Sequence, residues 1–224
     1  MSLNSNNLPS NRGMEIVPME VGTYPARTVA VVDLGLQPQA PWAGKDRPPA
    51  HKVAFTYEFV DEFLKDEDGN DIKDKPRWLT EMMPIYNLSS EKAKSTIRYK
   101  TFDPENKHKG DFSKIINTPV MVTIVHNPNN KKPGSVWENV GEVTAMRAKD
   151  VEKCPPLVNP VMVFDMDEPD VAVFTMLPQF IQKIIVGGLE FSGSKLEAAL
   201  TAVNYNPVAE AKEETKDGEA ENPY

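Results

Sequence analysis

The sequence predicts a mainly β protein with helices: a five-stranded barrel, then C-terminal helices and a disordered acidic tail. Three observations lead there. Two long strand-like runs lie between Gly22 and Phe59, a helix-like stretch separates the third such run from the fourth, and an amphipathic helical pattern follows only beyond Pro156.

Residues 22–35 are rich in β-branched side chains and have turn formers at both ends, which suits a strand buried over most of its length. Residues 51–59 alternate, with Val53, Phe55, Tyr57 and Phe59 on one face and Lys52, Ala54, Thr56 and Glu58 on the other. Between them, residues 37–50 carry Trp42, Lys45, Arg47 and several prolines, and read as a loop too long for a tight hairpin turn. An acidic connection over 61–75 follows. Its stretch from Asp66 to Asp71 is a solvated hairpin tip, because Asp71 and Arg77 stand where a calcium loop needs its glycine and its bidentate glutamate.

Residues 77–87 form a third strand, with Trp78, Thr80, Met82, Pro84 and Tyr86 on one face and Arg77, Leu79, Glu81, Met83 and Ile85 on the other. Pro84 marks an edge or a bulge. Ser89 or Ser90 caps a short helix through Lys100, with Ala93 and Ile97 inward and Lys92, Lys94, Arg98 and Lys100 outward. A helical turn capped by Asp111 covers 112–116. Residues 119–126 make a fourth strand, 127–134 a turn-rich loop, and 136–146 a fifth strand carrying Trp137.

Three strands, a helical connection and two more strands follow the order of an OB-fold, with an SH3-like barrel as the alternative meander. In an OB-fold the loops after strands one and four flank the binding face, here the Trp42 loop and the Lys131/Lys132 loop. Beyond the linker at 153–156, residues 161–164 are strand-like. Leu177, Phe180, Ile181, Ile184 and Ile185 mark one helical face, Gly187 and Gly188 stop that helix, and Ser194 with Glu197 forms a capping box for a last one. The chain thus divides into a disordered arm (1–20), a barrel (21–153), an extension whose helices pack on the barrel (154–206) and a flexible acidic tail (207–224).

At 224 residues the chain is long enough to bury a sizeable core. The formal net charge is −8, yet half of it sits in residues 208–224, while residues 89–153 hold twelve Lys/Arg against eight Asp/Glu. No apolar run reaches membrane length and the N-terminal stretch has no signal-peptide core, so a cytoplasmic protein is expected, in the host's cytoplasm for a viral chain. One cysteine, Cys154, excludes an internal disulfide. His51, His108 and His126 are scattered, and no phosphate-cradling glycine loop is present, so neither an enzyme nor a cofactor is expected. Asp165, Asp167, Glu168 and Asp170 suggest a Mg²⁺ nuclease only weakly, since they fall in a Pro-bounded polar turn.

The segments GTYPARTVAVVDLGLQ, PIYNLSSEKAK, FSKIINTPVMVTI, WENVGEV and LPQFIQKII resemble a family of bacteriophage OB-fold single-stranded DNA-binding proteins, over residues 21–191. The resemblance implies sequence-independent binding of unwound DNA in replication or recombination. The ending Glu219-Ala220-Glu221-Asn222-Pro223-Tyr224 is similar to the acidic, aromatic-closed tails of replicative proteins of this kind, with Tyr in place of the usual Phe. That likeness implies docking of replication partners through Glu219, Glu221 and Tyr224, and autoinhibition when the tail folds onto the DNA site.

A single strand offers phosphates and unstacked base faces, answered by cations and aromatic platforms. Trp42 is the first candidate platform, because a proline-flanked loop offers it little core to join; a loop anchor is the bland alternative. Trp78, Tyr86 and Trp137 lie in strands, where packing competes with ligand contact. Lys45, Arg47, Lys52, Lys131 and Lys132 are candidate phosphate partners, and Arg98 ranks below them. The same chemistry serves RNA. A structural or adaptor protein using the barrel for protein contacts is the competing class.

Overall fold

The computed structural model of the chain describes residues 17–130 and 132–207. It is mainly β, with five helices among the described residues: β1 (Gly22–Trp42), β2 (Lys45–Lys65), β3 (Asp71–Pro84), α1 (Lys94–Phe102), β4 (Pro119–Pro128), β5 (Val136–Ala145), α2 (Ala148–Val151), β6 (Met162–Phe164), α3 (Val171–Met176), α4 (Gln179–Val186) and α5 (Lys195–Ala202). The first five strands pair antiparallel in the order β3-β2-β1-β4-β5. β1 is long enough to serve two partners along one edge. Gly22–Arg27 takes β4, while Ala30–Val32 takes β6 in parallel.

The strand alternation decides what each face buries. Phe55, Tyr57 and Phe59 of β2 point with Val31, Val122, Ile124 and Tyr99 into an inner core. Val29, Val32, Leu34 and Ala54 point the other way and pack on Phe164, Phe174, Ile181, Ile185 and Leu196 of the C-terminal part. Because the middle of β1 is covered on both sides, it reads as a continuous apolar run rather than an alternating one. Two side chains hold the linker across that outer face. Glu58, 1% exposed, accepts from the backbone N–H of Val158 (2.6 Å) and from the Asn159 side chain (2.7 Å). Arg27, its register partner, donates to the carbonyls of Pro155 (2.7 Å) and Cys154 (3.1 Å).

The backbone ladder leaves the sheet open: β3 and β5 are its two edges, and no strand pairing joins them. Side chains span the gap instead. Arg77 on β3 meets both carboxylate oxygens of Glu138 on β5, at 3.0 and 2.9 Å. Further along, Arg98 of α1 donates to Glu81 on β3 (2.7 and 3.1 Å) and to the carbonyl of Gly141 on β5 (2.8 Å). Tyr57 (2.6 Å) and Lys94 (2.7 Å) complete the shell of Glu81. Burial alone would raise the Glu81 carboxyl, but Arg98, Lys94 and Tyr57 outweigh it and hold it below its ordinary value.

Several sequence expectations are corrected. Residues 37–50 are not a loop but the far end of the β1–β2 hairpin, and 61–75 is mostly strand rather than connection. The proline-rich stretch pairs despite its prolines because register shifts interrupt the ladder around them. The helix begins at Lys94 and turns a different face inward: Arg98 is 3% exposed and Ile97 is 48% exposed. Its buried stripe is Ser95, Arg98, Tyr99 and Phe102, so a polar spacing hides a core face. The Asp66–Asp71 tip, the Asp111 cap, the break at Gly187 and the Ser194–Glu197 capping bond are as expected.

Glu81→Ala leaves Arg98 as a buried, unpaired charge and is expected to cost about 3–5 kcal/mol in chemical denaturation. The folded-state pKa of Glu81 is depressed, so its contribution is present above the unfolded carboxyl range and is lost as pH falls through the folded value. Glu81→Gln should therefore be less stable than wild type at neutral pH and lose less stability on acidification. Parallel acid titrations of the two proteins check this.

Candidate nucleic-acid interface

Beyond the last β2–β3 pair, Lys52 with Pro84, no third strand among the described residues lies beside the hairpin on that edge. Gln37 marks the limit on the other edge: its side-chain amide donates to the carbonyls of Leu34 (2.6 Å) and Ile184 (3.0 Å), fastening β1 to α4. Gly188 lies against that amide, where a Cβ would come within 2.7 Å of it. Past these anchors residues 38–49 project as a two-stranded arm, mostly exposed. Ala43 and Gly44, at φ 50° and 73°, turn its tip in the left-handed conformation that suits a tight hairpin.

The arm carries three of the ten nucleic-acid candidates, with Lys52 at its root and Tyr86 beside it. Trp42 is 74% exposed at the tip and pairs in register with Lys45. Arg47 donates to the hydroxyl of Tyr86 (3.3 Å), which is 37% exposed just after β3. Lys52 lies at the root, its ammonium on the carbonyl of Pro38 (3.2 Å). Asp46 is the single acid among residues 37–52, so the arm is cationic. Pro38, Pro41, Pro48 and Pro49 remove backbone donors along it and so blunt it as an edge for adding another strand.

The other candidates lie elsewhere. Arg98 is consumed by Glu81 and Gly141 and has no free face for a phosphate. The indole N–H of Trp78 donates to Glu58 (3.0 Å), which places this ring at the junction with the linker. Trp137 is half-buried on β5, opposite Asn127. Lys132 is exposed in the turn after β4. Since β4 runs antiparallel to β1 from Arg27 back to Gly22, that turn lies toward one end of the sheet and the Trp42 tip toward the other. The two loops expected to flank one face therefore diverge along β1. Lys131, and the tail residues Glu219, Glu221 and Tyr224, lie outside the described residues.

Next to Tyr86 opens a cavity of about 590 Å³ that was not among the expected sites. Val31, Val53 and Ile85 line its apolar floor; Asn87, Ser113, Asp33 and Asp165 are among its polar walls. Burial raises the Asp33 carboxyl above its ordinary range, although backbone donors from Gly35 and Met166 oppose the rise. One signal was legible: Asp33 interrupts the apolar run Val29-Ala30-Val31-Val32 before Leu34. Asp170, a candidate Mg²⁺ ligand on paper, caps α3 through the Ala172 N–H (2.8 Å). No group of three or more His, Cys, Asp or Glu among the described residues is placed to hold a metal ion. No helix among them is long and apolar enough to cross a membrane.

No protein-family model matches the chain, and neither does any curated protein or solved structure. The interface rests on its own residues.

Alanine carries a left-handed cost at position 43 that glycine lacks. Ala43→Gly should therefore firm the arm by roughly 1 kcal/mol and slow amide hydrogen exchange across residues 38–50. Unchanged or faster exchange there would show that the turn does not limit the arm.

Proposed function

We propose that the chain is a sequence-independent single-stranded DNA-binding protein acting in phage replication or recombination. It is built on an OB-fold-like cylinder whose one unpaired seam is bridged by side chains. The strand order, with a helix between β3 and β4, supports that fold reading. The observation that carries the function is the projecting arm, where an exposed indole, the tip cation Lys45 and the Arg47–Tyr86 pair stand together. Exposure of a large ring is costly in water and useful to a stacking base. Lys45, Arg47 and Lys52 supply the counter-charge for phosphates, and nothing in this chemistry reads sequence. The tail at 208–224, rich in acids and ending on Tyr224, is proposed to compete with DNA for these cations and to dock replication partners once displaced.

Titration of the full chain with oligo-dT should quench Trp42 fluorescence. Affinity should fall steeply with added salt, because each neutralised phosphate releases a counterion. Trp42→Ala should cost about 1–3 kcal/mol of binding, the worth of one stacked base. Lys45→Ala and Arg47→Ala should weaken binding and each lower the salt slope by roughly 0.7. Deleting residues 208–224 should tighten binding. An adaptor protein would show none of these responses, and a salt-insensitive isotherm would contradict the cationic arm.

A further inference from the structure

The cavity beside Tyr86 has chemistry unlike the arm's. Its floor is apolar (Val31, Val53, Ile85) and its walls are rich in hydrogen-bond acceptors, with the carboxylates Asp33, Asp111, Asp165 and Asp167 against one cation, Lys109, among the described residues. A phosphate is repelled there at short range. A flat, neutral heterocycle bearing amino donors is not. Carboxylates accept from the amino group of cytosine, and single strands are read by bases splayed out of the stack. The volume lies within the range of pockets that hold small organic groups. Tyr86 joins the two regions, since it lines the cavity and receives the Arg47 hydrogen bond.

We propose that this cavity takes one unstacked, amino-bearing base of a strand whose phosphates lie along the arm, so that binding favours cytosine over thymine. The proposal rests on the single-strand reading above and deepens it. Tyr86 forms the wall past which the base enters. Asp33 and Asp165 accept from its amino group with the lone pairs their backbone donors leave, Asp33 being held by the N–H groups of Gly35 (2.8 Å) and Met166 and Asp165 by that of Asp167 (2.8 Å). Thymine presents a carbonyl in place of the amino group, so only its single ring N3–H is left to donate where cytosine offers two amino hydrogens.

The test is fluorescence anisotropy of the full chain with labelled oligo-dC and oligo-dT, each about 20 nucleotides long, at neutral pH. Oligo-dC is expected to bind about tenfold tighter. Asp33→Asn and Asp165→Asn, their folding checked by thermal melting, should each bring the dC:dT ratio toward one. A purely electrostatic role would raise the affinity for both polymers equally and leave the ratio in place. Equal binding of the two polymers by wild type, or a ratio that persists in both folded variants, overturns the base pocket while leaving the arm's function standing. Failure of both polymers to bind removes the single-strand reading, and the pocket with it.

Discussion

The sheet is open between β3 and β5, so side chains take the role of connecting these two edges where no backbone ladder does. In this chain that role falls to the Glu81 carboxylate and the Arg98 guanidinium. Arg98 reaches from α1 to β3 through Glu81 and to β5 through the Gly141 carbonyl, so one side chain ties both edges. The pair is buried, and a buried ion pair is tolerable only when its remaining donors and acceptors are filled. They are filled: Tyr57 and Lys94 take Glu81, and Arg77 with Glu138 braces the seam farther along. Burial together with the neighbouring carboxylate pushes the Tyr57 hydroxyl well above its ordinary range, so it stays a neutral donor. The position of α1, and hence of the inner core with Phe55, Tyr99 and Phe102, follows from this network.

The outer face is organised by a second constraint, the pairing of long strands with a short cover. The C-terminal helices cover β1 and β2 only as far as Gln37, and the linker is fastened at the opposite side by Arg27 and Glu58. Among the described residues, neither a third strand nor a helix lies over what remains of β1 and β2. A two-stranded ribbon of this kind has little stability of its own. It persists as the continuation of a ladder that is buried farther down, and its side chains are left to face solvent or ligand. The proposed function therefore resides in the part of the hairpin that the core does not need.

Some of this was legible in the residues. The period-two pattern of Val53, Phe55, Tyr57 and Phe59 named the core face of β2, and the strand-helix-strand order anticipated the pairing. Trp42 was readable as exposed because prolines surround it. The arm itself was not legible. Proline is a turn signal from sequence, and its compatibility with a ladder depends on register shifts that only the paired strand reveals. Arg98 was misread for a related reason: among Lys92, Lys94 and Lys100 it looks like one more solvated cation, and its partner Glu81 is seventeen residues away. The divergence of the Trp42 and Lys132 turns along β1 is likewise a property of antiparallel register and leaves no local trace.

The central claim is that a single strand is held by the hairpin arm and the adjacent Tyr86 rather than by the sheet as a whole. Hydrogen–deuterium exchange of the full chain, with and without a saturating oligonucleotide, tests it most directly. The account predicts new protection concentrated in residues 37–52 and 84–88. Protection centred instead on the β4–β5 turn and β5, with the arm exchanging as in the free protein, would contradict it.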